Sequence, residues 1–288
     1  MPISPSDIKN VVLKDDDFGH EMRVGKLIRS IANINAEHSG TYIDSVTGKP
    51  RQFDFRCLLK KDYAELNLAV ECKNLNPSAP LIVCGTKRQN SEAFHELIGW
   101  RSDSGRPDIL YSSRPIPITF RSIETFEFYA SNEFVGKSLV RIKPNLNPSK
   151  STPELFVSVP DSDIYDKWAQ ALSSSIGLIK SAHERAIAHR GSEFYAAILP
   201  ILVVPDGSLW KVDYDDNGSI CGQPEQVNNC ELFIGREIEV SKEWFTHPFT
   251  FSHIHFFTIS GFGFFLSSLI SGEAVWSKLF TKKTSVVR

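Results

Sequence analysis

The sequence predicts an α/β protein in which a mixed β-sheet is flanked by helices, with a β-rich C-terminal elaboration. Three observations predict it. Arg51–Lys73 (RQFDFRCLLKKDYAELNLAVECK) alternates apolar and polar residues on either side of a turn at Asp62-Tyr63, as a half-buried hairpin does. Ala196–Val204 (AAILPILVV) is wholly apolar, as a strand covered on both faces must be. Between them, Asp163–His189 places Ile164, Trp168, Ala171, Leu172, Ser175 and Ile179 on one helical stripe.

Composition bounds the function. The 288 residues suffice for one large domain or two small ones, and 41% hydrophobic with 23% charged residues is ordinary for a globular chain. A net charge of −2 announces no polyanion partner, so any nucleic-acid contact must come from local basic patches. The five cysteines are odd in number and sit mostly inside apolar strand patterns, which favours buried free thiols in a reducing compartment. The N-terminus lacks the basic-then-apolar layout of a signal peptide, and the expected location is cytoplasmic. The chain is read as a single domain over 1–288: a catalytic part at about 15–142, a linker-like loop at 143–153, and a helix and strand part at 154–288.

Taken in order, Met1–Asn10 reads as a loose lead-in and Val11–Leu13 as a short apolar piece. Asp15, Asp16 and Asp17 supply the negative charge a helix N-terminus favours, and the spacing predicts a helix over Phe18–Ala36 with Val24, Leu27, Ile28 and Ile31 buried. Glu21 falls at the edge of that stripe, about 60° from its centre at 100° per residue. Thr41–Ile43 reads as a short strand and Ser45–Pro50 as a turn. After the hairpin come a loop at Asn74–Pro80, an apolar run at Leu81–Cys84, and a short amphipathic helix at Ser91–Trp100. Residues 101–117 look like an exposed excursion, and Pro117–Phe120, Thr125–Tyr129 and Ser138–Ile142 are strand candidates. In the second half, strands are expected around Leu209–Tyr214 and Glu231–Val240. Phe249–Ile270 reads as a strand turning at Gly261-Phe-Gly263 into a buried helix.

Several motifs look chemical and are better read as structure. Asp213–Gly218 matches the first half of a calcium loop, but Pro224 stands where the bidentate Glu is needed, so Asp-Asp-Asn-Gly reads as a hairpin turn. His247, His253 and His255 have no Cys or carboxylate beside them in sequence. The basic end of the long helix, with Lys180, His183, Arg185, His189 and Arg190, suits the helix dipole as well as it suits a phosphate.

The hairpin is different. In a register where partner numbers sum to 125, one face carries Phe53, Phe55, Cys57 and Leu59 opposite Leu66, Leu68, Val70 and Cys72. The other carries Gln52, Asp54, Arg56, Asn67, Glu71 and Lys73, with Asp54 opposite Glu71. Two adjacent carboxylates repel, and a hard divalent cation such as Mg²⁺ is the usual way to keep both ionised. Lys73 would then orient a water or neutralise phosphate charge. The plain alternative is a cross-strand charge cluster.

These residues, Asp54 with Glu71-Cys72-Lys73, resemble the signature of the PD-(D/E)xK, restriction-endonuclease-like superfamily. There the Asp begins one strand of a hairpin, the E-x-K ends the next, and a helix bearing a Glu precedes both, the position of Glu21. The match covers about residues 18–73, and Phe53 stands where the signature proline would be. The resemblance implies helices packed on a mixed sheet and a Mg²⁺- (or Mn²⁺-) dependent nuclease acting on DNA, in restriction, antiphage defence or repair. It implies Asp54, Glu71, the Cys72 carbonyl and Glu21 as metal ligands and Lys73 as the residue that positions the nucleophile. Gln52, Arg56, Lys87, Arg88, Lys180 and Arg185 are candidate nucleic-acid contacts, and cutting both strands would call for a homodimer or a larger complex. Two rivals stand beside it: a nuclease-like module that binds DNA or protein without catalysis, and a membrane-associated effector anchored through 249–270.

Overall fold

The structure, a computed structural model, describes residues 3–14, 16–44, 48–101, 118–121, 127–145, 155–159, 162–188, 193–239 and 248–280. The first part comprises α1 (Pro5–Lys14), α2 (Asp17–Ser30), β1 (Asn35–His38), β2 (Thr41–Ile43), β3 (Pro50–Gln52), β4 (Phe55–Lys61) and β5 (Ala64–Cys72). There follow β6 (Leu81–Lys87), β7 (Glu96–Arg101), β8 (Ile118–Arg121), β9 (Phe134–Pro144) and β10 (Phe156–Val159). The long helix α3 (Ser162–Ala188) leads to β11 (Glu193–Val204), β12 (Leu209–Tyr214), β13 (Ile220–Gln226), β14 (Asn229–Ile238) and β15 (Phe249–Thr258). Helices α4 (Ile259–Ser271) and α5 (Glu273–Leu279) come last.

Among the described residues, one mixed sheet holds thirteen strands, ordered β1-β4-β5-β11-β15-β14-β9-β6-β12-β13 along its main path, with β7, β8 and β10 as branches. β2 and β3 form a separate hairpin. β11 is the central strand its apolar run predicts, parallel to β5 over Tyr195–Val203 and to β15 over Ile201–Val204. Helices cover both faces. On one, Val24 and Ile28 of α2 and Phe262, Leu266 and Leu269 of α4 pack on Phe55, Leu59, Leu66, Leu68, Leu199 and Ile201. On the other, Leu172, Ile179 and Ala182 of α3 pack on Ala69, Ala196 and Ile198.

The α/β class and the flanking helices agree with the sequence reading, and several elements correct it. α2 starts where the aspartates predict, with Asp16 accepting from the Gly19 N–H at 2.9 Å. It ends at Ser30, not Ala36, because Asn33 takes a left-handed φ of 66° and Asn35–His38 pair with β4 instead. The lead-in is a helix, α1, capped by Ser4 and exposed along its length. Ser91–Trp100 is not a helix: a 3-10 turn at Asn90–Glu92 precedes β7, which pairs with β11 and β8. Glu127–Tyr129 is likewise a 3-10 turn, not a strand. β9 and β10 pair as a hairpin across the expected linker, with Phe156 opposite Pro144. β13 is the strand that the expected Asp-Asp-Asn-Gly turn leads into, α5 answers to no sequence expectation, and the expected excursion at 101–117 lies outside the described residues except for Arg101, which ends β7.

Candidate active site

The hairpin has the register that the alternation predicts: Phe55 faces Val70, Leu59 faces Leu66, and Lys61 faces Ala64 around Asp62, whose φ is 52°. Its core face locks that register. A one-residue slip would turn Phe55 and Leu59, each now 1% exposed, out of the apolar core and onto the polar face, and bring the charged residues into the core.

Asp54 sits one residue before β4, and Glu71 is the penultimate residue of β5. The Cys72 N–H donates to Asp54 Oδ2 at 2.6 Å, and the Ser39 N–H donates to the Asp54 carbonyl at 3.0 Å, so the aspartate is held from two sides. Lys167, from the start of α3, places its Nζ 3.4 Å from Asp54 Oδ2 and 3.5 Å from Glu71 Oε2. Glu71 is 0% exposed, and its Oε1 is buried without a hydrogen-bond partner. Burial, then the neighbouring Asp54 charge, push the Glu71 carboxyl well above the usual carboxylate range, with Lys167 pulling the other way. Burial works against the Lys167 ammonium, but the attraction of Asp54 and Glu71 outweighs it and holds its pKa above that of an ordinary lysine.

Lys73 is not beside Glu71. Its Nζ binds Asp17 Oδ2 at 2.9 Å in the first turn of α2, and the Asn74 N–H donates to Asp17 Oδ1 at 2.9 Å. The backbone still follows the strand, with the Lys73 N–H donating to the Val203 carbonyl at 3.0 Å, and the ion pair with Asp17 is what holds the side chain toward α2. Glu21 is engaged as well, accepting at Oε1 from His38 Nε2 at 2.6 Å, with the His38 ring stacked on Phe55. It still lies near the site, since burial first, then Asp54, Glu71 and Glu21, raise the Cys72 thiol well above its ordinary value. Cys72 itself is buried and paired in register with Val203.

The rest of the polar hairpin face is covered by α3. Arg56 donates from Nη2 to the Ser174 carbonyl at 2.7 Å and lies over the Phe53 ring at 4.2 Å. Arg185 donates from Nε to Glu65 Oε2 at 2.6 Å and from Nη2 to Asn67 Oδ1 at 2.8 Å. Lys167, Ser174 and Arg185 are separated by seven and then eleven residues, which on an α-helix returns to within about 20° of the same side. That spacing groups the three on one side of α3, but nothing in the sequence ties that side to Glu71. Arg56 and Arg185 are therefore tied to partners across this seam. Gln52 leaves the expected face altogether, because it pairs with Thr41 in the β2–β3 hairpin. Arg88 is buried against Glu231 and donates to the Ala130 carbonyl at 2.8 Å, so it too is a core group. Lys87 and Lys180 are exposed, as a phosphate contact requires.

The lures resolve as structure. Asp215 accepts from the Asn217 and Ser219 N–H groups at 2.9 and 2.8 Å, closing the hairpin turn between β12 and β13. His255 Nε2 lies 2.7 Å from the Tyr129 hydroxyl, and His253 stacks on the Tyr129 ring at 3.9 Å. Burial, with Arg88 and His95 adding to it, lowers the His255 pKa to about 3. His247 lies outside the described residues. The stretch 249–270 is a buried strand and a 13-residue helix, and no helix among the described residues is long and apolar enough to cross a membrane. No group of three or more His, Cys, Asp and Glu side chains among the described residues is arranged to hold a metal ion. A two-carboxylate site does fit a hard divalent cation at Asp54 and Glu71: two carboxyl groups face one ammonium, and Glu71 Oε1 is an oxygen ligand without a partner.

Comparison with protein-family models, curated proteins and solved structures finds no match to this chain.

Proposed function

We propose that the chain is a Mg²⁺- or Mn²⁺-dependent nuclease that hydrolyses phosphodiester bonds in DNA at the Asp54–Glu71 edge of the sheet. One observation carries the reading: two carboxylates meet at the end of a hairpin, and the buried Glu71 Oε1 has no partner. The order of parts also supports it, with helix α2 carrying Glu21, then Asp54 before β4, then Glu71 at the end of β5, then a helix packed on a mixed sheet. Asp54 and Glu71 would hold the cation, which when bound supplies Lewis acidity at the phosphate and a more acidic water. Lys167, not Lys73, is the ammonium that stands at the carboxylate pair in the absence of metal. Lys73, fixed by Asp17, braces α2 against the end of β5 and so positions the pair. Exposed Lys87 and Lys180 are the remaining candidates for backbone contacts that position DNA without reading its sequence. Restriction, antiphage defence and repair are the settings this activity fits. The test is cleavage of plasmid and single-stranded DNA with Mg²⁺: wild type cuts, and Asp54→Ala and Glu71→Gln do not. Equal cleavage by all three would sink the assignment.

A second reading has its own observation. Lys167 already neutralises part of the pair, and α3 covers Glu71 completely, as in a packing seam with no chemistry. The chain would then be a nuclease-like module that binds DNA or protein. DNA binding that persists in EDTA, with no cleavage under any divalent metal, selects this reading.

A further inference from the structure

We propose that Lys167 is a tethered counter-ion that competes with the divalent cation for Asp54 and Glu71, so that metal binding releases its ammonium to solvent. The inference rests on the metal-binding reading of the carboxylate pair and adds a residue that sets the strength of that binding. The geometry is that of a bridging cation. Lys167 Nζ stands almost equally far from the two carboxylates, at 3.4 and 3.5 Å. Elsewhere in the same hairpin region the ammonium groups dock closely on one oxygen, Lys73 on Asp17 at 2.9 Å and Lys60 on Glu65 at 2.8 Å. A charge-assisted bond prefers about 2.7–2.9 Å, so Lys167 spans the pair without making a close bond to either member.

Lys167 does not satisfy the pair. One ammonium stands between two carboxyl groups, and it leaves the buried Glu71 Oε1 without a partner. A divalent cation cancels both charges and uses that oxygen. Lys167 has a way out that the carboxylates lack: its side chain is 24% exposed, against 14% for Asp54 and 0% for Glu71. Its stem is flexible, and its ammonium is readily hydrated. The ammonium and a divalent cation repel and seek the same carboxylate oxygens, so the affinity of the pair for metal is reduced by the fraction of molecules in which Lys167 fills it.

The experiment is a calorimetric Mn²⁺ titration of the full chain as wild type, Lys167→Met and Glu71→Gln, paired with mass-spectrometric acetylation of wild-type lysines with and without Mn²⁺. Lys167→Met is expected to bind Mn²⁺ about tenfold tighter or more, Glu71→Gln to bind weakly or not at all, and Lys167 acetylation to rise when Mn²⁺ is added. Equal or weaker binding by Lys167→Met, with Glu71→Gln still defective, overturns the competition and leaves the metal reading intact. Absence of Mn²⁺ binding in both wild type and Lys167→Met overturns the metal reading and this inference with it. If Lys167→Met fails to fold, the wild-type acetylation decides: labelling of Lys167 that Mn²⁺ leaves unchanged or suppresses overturns the inference.

Discussion

The pairing of two carboxylates with one ammonium makes opposite predictions for the two sides of the site. Lys167→Met leaves Asp54 and Glu71 facing each other without a cation, and Glu71 is 0% exposed. Removing one partner of a buried pair costs about 3–5 kcal/mol. Lys167 is itself 24% exposed, which places the expected loss near the lower end, about 3 kcal/mol. Glu71→Gln acts in the opposite sense. It leaves Asp54 and Lys167 as a one-to-one pair and adds no unsatisfied atom, since Oε1 already lacks a partner. Its stability at pH 7.5 is expected to lie within about 1 kcal/mol of wild type, or above it. The pH dependence follows from the raised Glu71 pKa. Above its folded-state pKa the buried carboxylate is ionised and costs stability, and as pH falls through that pKa it takes up a proton. Below the unfolded value of 4.5 the folded and unfolded states are both protonated. Any advantage of Glu71→Gln should therefore be largest at high pH and gone by about pH 4.5. Urea unfolding of wild type and both variants, without metal, at pH 7.5 and 5 measures it. A Glu71→Gln loss as large as that of Lys167→Met would refute the charge count.

Three further outcomes are expected. Arg185→Met removes the donors to Glu65 and Asn67, but Glu65 keeps Lys60 at 2.8 Å, so thermal unfolding should show a loss of only about 1–3 kcal/mol; an unchanged midpoint would show that the α3 seam adds nothing there. Gly261→Ala brings a Cβ to 2.0 Å from the Asn228 carbonyl oxygen, a backbone atom, and should cost about 1–3 kcal/mol, whereas the Cβ of Gly263→Ala meets the Leu27 side chain at 3.2 Å and should cost less. Equal midpoints for the two glycine variants would contradict the close packing of α4 on the start of β14. Burial lowers His95 to about 4 and His255 to about 3, so both rings stay neutral in the fold while the unfolded chain takes up protons below about pH 6.5. Their contribution to stability is lost as pH falls from 6.5 toward 4, by up to about 1.4 kcal/mol per pH unit for each ring. His255→Gln should flatten that slope in urea titrations at pH 7, 6 and 5, and an unchanged slope would count against the neutral ring.

What the sequence made legible was local. Alternation set the β4–β5 register, the aspartates before Phe18 set the start of α2, and an unbroken apolar run identified β11 as a central strand. What it concealed was decided at a distance. Phe94, Leu97 and Ile98 fit a helical period as well as a strand, and pairing with β11 and β8 makes the segment a strand. The Lys87-Arg88 pair reads as surface, yet Arg88 is buried because Glu231, 143 residues away, meets it. Lys167 lies 96 residues from Glu71, and only the packing of α3 on the hairpin brings them together. Lys73 continues the backbone ladder to Val203, and local alternation cannot reveal its ion pair with Asp17, 56 residues away.

The proposed divalent-cation site at Asp54 and Glu71 is tested most directly by anomalous scattering from a crystal soaked in Mn²⁺. A peak is expected between the two carboxylates, within reach of Glu71 Oε1, with the Lys167 ammonium moved away. A site without a peak, and Lys167 still bridging both carboxylates at high Mn²⁺, would contradict it.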